Sequence, residues 1–169
     1  PGPPADQESP MTPPIRHLSA AEVATLMPSW PEIIDIVESA LKELGSGTGQ
    51  MPPKVDLAPG GSTFLHAMPA QVAGMAGMKW VGGSPDNASK GLPYVQGTII
   101  LTDPETGTPL AIMDATEITA KRTAGCTAVA GGVMTSGAFS SLTAADEAVS
   151  NGPPPNVIPQ EQMLSLIHI

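Results

Sequence analysis

The chain has 169 residues, 41% of them hydrophobic, and a formal charge of −9. One domain with a moderate core is the natural expectation, and a nucleic-acid partner, whose phosphates ask for a basic face, is excluded. No apolar run is long enough to span a bilayer, no leader pattern is present, and Cys126 alone cannot form an internal disulfide, so no membrane partner is expected and a reducing cytoplasm suits the composition.

Residues 1–14 are dominated by proline and read as a disordered tail. Leu18-Ser19-Ala20-Ala21-Glu22-Val23 is a complete helix-start signature: Ser19 caps, Glu22 reaches back three residues, and Leu18 and Val23 form the hydrophobic staple. Pro28 ends that helix, and Ser29 and Glu32 repeat the same spacing for a second one. Ile33, Ile34, Val37, Leu41 and Leu44 give this helix an apolar face, with Gly45 as the expected C-cap. The face reads as packing on the chain's own sheet rather than as a partner interface.

Prolines impose an extended backbone on residues 51–57. Strands are expected over 63–70, 77–81 and 97–103. Asp103-Pro104-Glu105-Thr106-Gly107-Thr108 has turn chemistry, and 109–113 returns as the hairpin partner. Short strands joined by tight turns predict a mainly antiparallel sheet. Asp114 then caps a third helix, with Glu117 at the capping-box position. This helix carries Ile118, Arg122, Ala128 and Val129 and fades at Gly131-Gly132.

Only seven residues are Lys or Arg, against sixteen Asp and Glu. Two of those cations stand out: Lys79 within an apolar strand, and Arg122 near the start of the third helix. A cation among apolar and glycine neighbours needs a partner. That partner is either an anionic ligand or a nearby acidic side chain. From the residues alone Lys79 reads as a surface or snorkelling lysine, and Arg122 as a helix-surface cation beside Glu117 or Lys121. His66 reads as a satisfied core or interface histidine and Cys126 as a buried, inert thiol. No cluster has metal-ligand spacing, so no metal is expected.

Lys54 in "MPPK", then "FLHAMPA", "AGMKWVGGSPDN" and "GLPYVQGTIILTDPETGTPLAIMDATEITAKRTA", together resemble the ornithine cyclodeaminase/mu-crystallin family over about residues 15–130. The resemblance implies an α/β fold: an antiparallel or mixed sheet with flanking helices, serving as the substrate-binding and dimerising domain of a two-domain enzyme. The second domain of such enzymes is a Rossmann fold that binds NAD or NADP. Their chemistry is hydride transfer at the α-carbon of an amino or imino acid, in cyclodeamination, ketimine reduction or amino-acid oxidation. The resemblance places Lys54, Lys79 and Arg122 in a clamp for the substrate carboxylate. Lys79 would also tune protonation at the reacting carbon, and Arg122 would also face the cofactor phosphates. It further implies a small amino- or imino-acid substrate and a homodimer.

The sequence departs from the family in two respects. Lys54 stands where ornithine cyclodeaminases proper usually carry arginine, and lysine lacks the bidentate fork. Beyond Gly132 nothing resembles the family: no strand, glycine fingerprint and acidic residue follow in the order a Rossmann half requires. Residues 164–169 resemble translated adapter sequence. The expectation is therefore a substrate-binding domain over 15–132 and unstructured read-through over 133–169. The Rossmann domain would be missing, leaving a fragment without activity that binds neither NAD nor NADP. The alternative reading is a non-enzymatic dimerisation or ligand-binding domain.

Overall fold

Two successive capping boxes set the entry of the chain. In the computed structural model, which describes residues 13–134, strand β1 (Arg16–Leu18) leads into helices α1 (Ala20–Leu26) and α2 (Trp30–Ser46). The Ser19 N–H and hydroxyl donate to the Glu22 carboxylate at 2.8 and 2.6 Å. Ser29 repeats the pattern with Glu32 at 2.9 and 2.7 Å. These bonds hold the carboxyls of Glu22 and Glu32 below their ordinary values, with the serine side-chain bond the larger cause in each. Replacing Ser19 with alanine is expected to cost about 1 kcal/mol, read as a lower midpoint in urea unfolding.

Helix α2 runs past the glycine expected to end it. Its C-cap is Gly47, in the left-handed region at φ 78°, whereas Gly45 remains helical. Only a residue without Cβ takes that conformation at little cost, and Gly47 alone of the two stands where the chain must turn.

The remaining strands are β2 (Val55–Gly60), β3 (Thr63–Val72), β4 (Met75–Gly83), β5 (Val95–Thr102) and β6 (Pro109–Asp114). A 3₁₀ turn, Pro85–Lys90, lies between β4 and β5, and helix α3 (Thr116–Met134) follows β6. The sheet order is β1-β6-β5-β4-β3-β2. Every pair is antiparallel except β1–β6, which is parallel. The expected sheet is thus present and mixed, but β1 was not foreseen: three residues carry too little alternation to announce a strand. Residues 51–54 stay outside β2, although Gln50 forms an antiparallel bridge to Gln71.

Helix α3 continues through Gly131-Gly132 to Met134. The expectations for residues 1–12 and 135–169 lie outside the described residues. Among the described residues no helix is long and apolar enough to cross a membrane.

Strand alternation assigns the two faces of the sheet. Ala70 and Val72 of β3, Val81 of β4, Ile99 and Leu101 of β5, and Ala111 and Met113 of β6 are buried. The core joins most of them to Val23 of α1, Ile33, Ile36 and Val37 of α2, and Ile118 of α3. The helices therefore cover one face, chiefly over β1, β6 and β5. On that same face the β2–β3 end is less covered: Phe64, His66 and Met68 are only half-buried. The opposite face leaves Trp80 42% exposed.

Candidate functional site

Lys79 sits in the middle of β4, between Met68 of β3 and Ile99 of β5. Alternation puts it on the face of Val81 and Ile99, under the helices, and it is fully buried. Among buried residues with relative exposure near zero it is the largest. A buried ammonium without partners is disfavoured, and its pKa falls from the usual 10.5 to about 8. Burial is the main cause; the positive charge of Arg122 adds to it, and Cys126 opposes it.

The docking of α3 brings the charge of Arg122 to bear on Lys79. Asp114 accepts from the Thr116 N–H at 2.9 Å, and the Ala115 N–H donates to the Gly97 carbonyl of β5 at 2.9 Å. The start of α3 is thereby fixed to the sheet, next to the strand that flanks Lys79. Further along, Gly125 lets α3 close on α2: a Cβ there would stand 3.1 Å from Val37 Cγ2 and 3.2 Å from Ile33 Cγ2. Glu117 does not reach back as a capping box would. It pairs instead with Lys121 at 3.2 Å, one turn on, and so leaves Arg122 without that acidic neighbour.

Among the described residues three buried side-chain polar atoms have no hydrogen-bond partner in the protein: Lys79 Nζ, Thr119 Oγ1 and Arg122 Nε. Native interiors leave few such groups, and each calls for an explanation. Thr119 and Arg122 are one helical turn apart on α3 and so share a side of it. Thr119 escaped the sequence reading, since a threonine inside a helix usually returns its hydroxyl to the preceding turn, as Thr123 does to the Thr119 carbonyl at 2.7 Å.

Lys54 lies on the helix-covered face as well but is already engaged. Its ammonium is 3.2 Å from Asp56 Oδ1 and 3.3 Å from His66 Nε2, and His66 Nε2 is 2.9 Å from the same carboxylate oxygen. Asp56 pairs across to His66, and His66 to Val81, which is two residues from Lys79 in β4. Lys54 is thus separated from Lys79 by strand β3. A cavity of about 330 Å³ lies against this end of the face, lined by residues 51–54, Met68, Pro69 and Ala70. A more open hollow on the opposite face is lined by Trp80, Thr98 and Asp114 and includes none of the three cations. Buried charge, rather than hollow volume, marks the site.

Tyr94 is exposed, and Cys126 is half-buried beside the core. Among the described residues no group of His, Cys, Asp and Glu could hold a metal ion.

Residues 15–140 match the ornithine cyclodeaminase/mu-crystallin family. Alanine dehydrogenase of Archaeoglobus fulgidus is 48% identical over 106 residues, which is 63% of this chain and 32% of that protein. Among solved structures, an archaeal alanine dehydrogenase dimer with bound NAD matches at 46% identity and a TM-score of 0.63, over 66% of this chain and 34% of that one. Delta(1)-pyrroline-2-carboxylate reductase of Thermococcus litoralis, in complex with NADH and L-proline, matches at 35% identity and a TM-score of 0.64, over 67% and 36%. The chain spans about a third of the length of these relatives.

Proposed function

The chain belongs to the ornithine cyclodeaminase/mu-crystallin family, and from that premise we propose that residues 15–132 are the substrate-binding and dimerising part of an NAD(P)-dependent enzyme. Its reaction would lie at the α-carbon of an amino or imino acid: cyclodeamination, imine reduction or amino-acid oxidation. The observation that carries this reading is that Lys79 Nζ, Thr119 Oγ1 and Arg122 Nε are each buried without a hydrogen-bond partner in the protein. A carboxylate supplies oxygen acceptors and negative charge at once. It is also the group that amino, imino and 2-oxo acids have in common.

In this reading Arg122 binds the carboxylate and fixes its plane, since guanidinium offers a fork of donors. Lys79, with its pKa near 8, holds or releases a proton close to neutral pH, where a general acid–base group is most effective. Lys54 guards the outer end of the site through its contacts with Asp56 and His66. The nicotinamide cofactor, when bound, accepts or donates hydride. The described residues do not fit it on their own: at the passage from β6 into α3, Asp114 occupies the helix N-terminus where a pyrophosphate would sit.

Exposed Trp80, Val55 and Leu57 support a homodimer. The same exposure favours the second reading, a non-enzymatic dimerisation or ligand-binding domain.

Titrating pyruvate, L-alanine and L-proline into the 169-residue protein, followed by NMR, tests the clamp. Saturable binding of the acids but not of acetone is expected. Arg122→Gln should weaken it about tenfold, the ~1.5 kcal/mol of one charged hydrogen bond. Equal response to acetone, or no response to any acid, would remove the carboxylate site.

A further inference from the structure

We propose that Lys79 is an amine nucleophile that forms a reversible imine with a 2-oxo acid, whose carboxylate is held by Arg122. The inference rests on the reading of Lys79 and Arg122 as a carboxylate site and goes beyond it, because a clamp needs only the charge of the lysine and an imine needs its lone pair. Three observations support it. Lys79 Nζ is buried and has no acceptor. Its neighbours on that face of the sheet, Met68 and Ile99 across the strands and Val81 two residues on, carry no negative charge. Arg122, a permanent cation, is close enough to repel its proton. A desolvated lysine beside a second cation is the arrangement that makes an amine nucleophilic near neutral pH.

The contrast with the other lysines is chemical. Lys42, Lys54 and Lys121 each lie beside an acidic partner, at 2.8, 3.2 and 3.2 Å, whereas Lys79 Nζ has no partner in the protein. At pH 7.5 an amine of pKa about 8 has a neutral fraction about 200-fold larger than one at the ordinary lysine value.

The step balances without an oxidant or reductant. The Nζ lone pair attacks the keto carbon, a C–N bond forms and the C=O π electrons move to oxygen. Proton transfer then expels that oxygen as water, leaving the protonated imine. Arg122 holds the carboxylate so that the adjacent ketone is presented to Nζ, a matter of proximity and orientation. The positive imine nitrogen draws electrons through the former keto carbon and so loosens the protons of the methyl group attached to it. Exchange of the pyruvate methyl hydrogens with solvent would follow.

The test is reductive trapping in the full 169-residue chain. Pyruvate and cyanoborohydride are added at pH 7.5, and carboxyethylated lysines are located by peptide mass spectrometry. Lys79 is expected to be labelled well over tenfold faster than Lys42, Lys54, Lys90 or Lys121. Lactate, which has the carboxylate but no ketone, should slow the labelling. Acetone should label Lys79 less than pyruvate does, and Arg122→Gln should erase that preference. Labelling spread evenly over the lysines, or absent from Lys79, overturns the imine. If pyruvate binding by NMR persists in that case, the carboxylate site stands and only the imine falls. If binding is absent too, both fall together.

Discussion

Lys79→Met is expected to stabilise the fold by about 3 kcal/mol near neutral pH while abolishing carboxylate binding. The figure follows from the fall of the lysine pKa from 10.5 to about 8, ~2.5 units at 1.36 kcal/mol each, taken as an order of magnitude. Below pH 8 the lysine is charged in both the folded and the unfolded chain, and the folded state carries the full burden of its desolvation. Between pH 8 and about 10.5 the unfolded chain binds more protons than the folded one. The stability of the native protein should therefore rise with pH in that window. Methionine has a similar unbranched shape, fits beside Met68 and Ile99, and removes both the buried charge and its repulsion of Arg122. Urea unfolding at pH 7 and at pH 10.5 measures the effect: the advantage of the variant should be large at the first and nearly gone at the second. An advantage that does not depend on pH would mean that the lysine is not desolvated as described.

A stabilising substitution of this kind is what a functional group predicts of itself. A sequence under no demand for chemistry would not keep an unpaired ammonium on the inward face of a central strand, since an apolar residue there is better by several kcal/mol.

Gly125→Val is expected to act in the opposite direction, costing about 2–3 kcal/mol through overpacking between α2 and α3. The added Cβ alone would meet Val37 Cγ2 at 3.1 Å and Ile33 Cγ2 at 3.2 Å. Both neighbours are buried core residues with little room to move. The ~1 kcal/mol that a helix gains when glycine is replaced offsets only part of this. Arg122 lies one turn before Gly125, so pushing α3 away from α2 also displaces the guanidinium from Lys79. The variant should lose carboxylate affinity together with stability, read by NMR titration at a temperature where it remains folded. A variant as stable as the parent would show that the two helices do not meet as closely as at Gly125.

Much of the fold was legible because its signals are local. The serine-to-glutamate spacing fixed the starts of α1 and α2, since a capping box needs nothing beyond four residues. Alternation along β4 places Lys79 on one face with Val81, whatever that face later meets. Asp103 accepts from the Glu105 N–H at 2.8 Å, and Gly107 takes φ 71°, as the turn residues between β5 and β6 required. The motifs around Lys79 and Arg122 were specific enough as an ordered set to indicate the family.

What tertiary structure decided was non-local. Whether Lys79 is buried depends on α3 lying over β5, and that depends on the Ala115-to-Gly97 hydrogen bond and the Gly125 contact with α2. Neither has a signature within a window of sequence. The parallel pairing of β1 with β6 joins segments over ninety residues apart. Lys54, which the resemblance implies as a third cation of the clamp, stands just before β2, and only the pairing of β2 with β3 brings it beside Asp56 and His66. Thr119 carries no marker at all until Arg122, one turn on, and Lys79 are seen to share its lack of a partner. Sequence by itself determined which residues carry charge and which face of their element they occupy. Only the packing of helix on sheet decided which of those charges lost their water, because desolvation is a property of everything that surrounds a group and not of its neighbours in the chain.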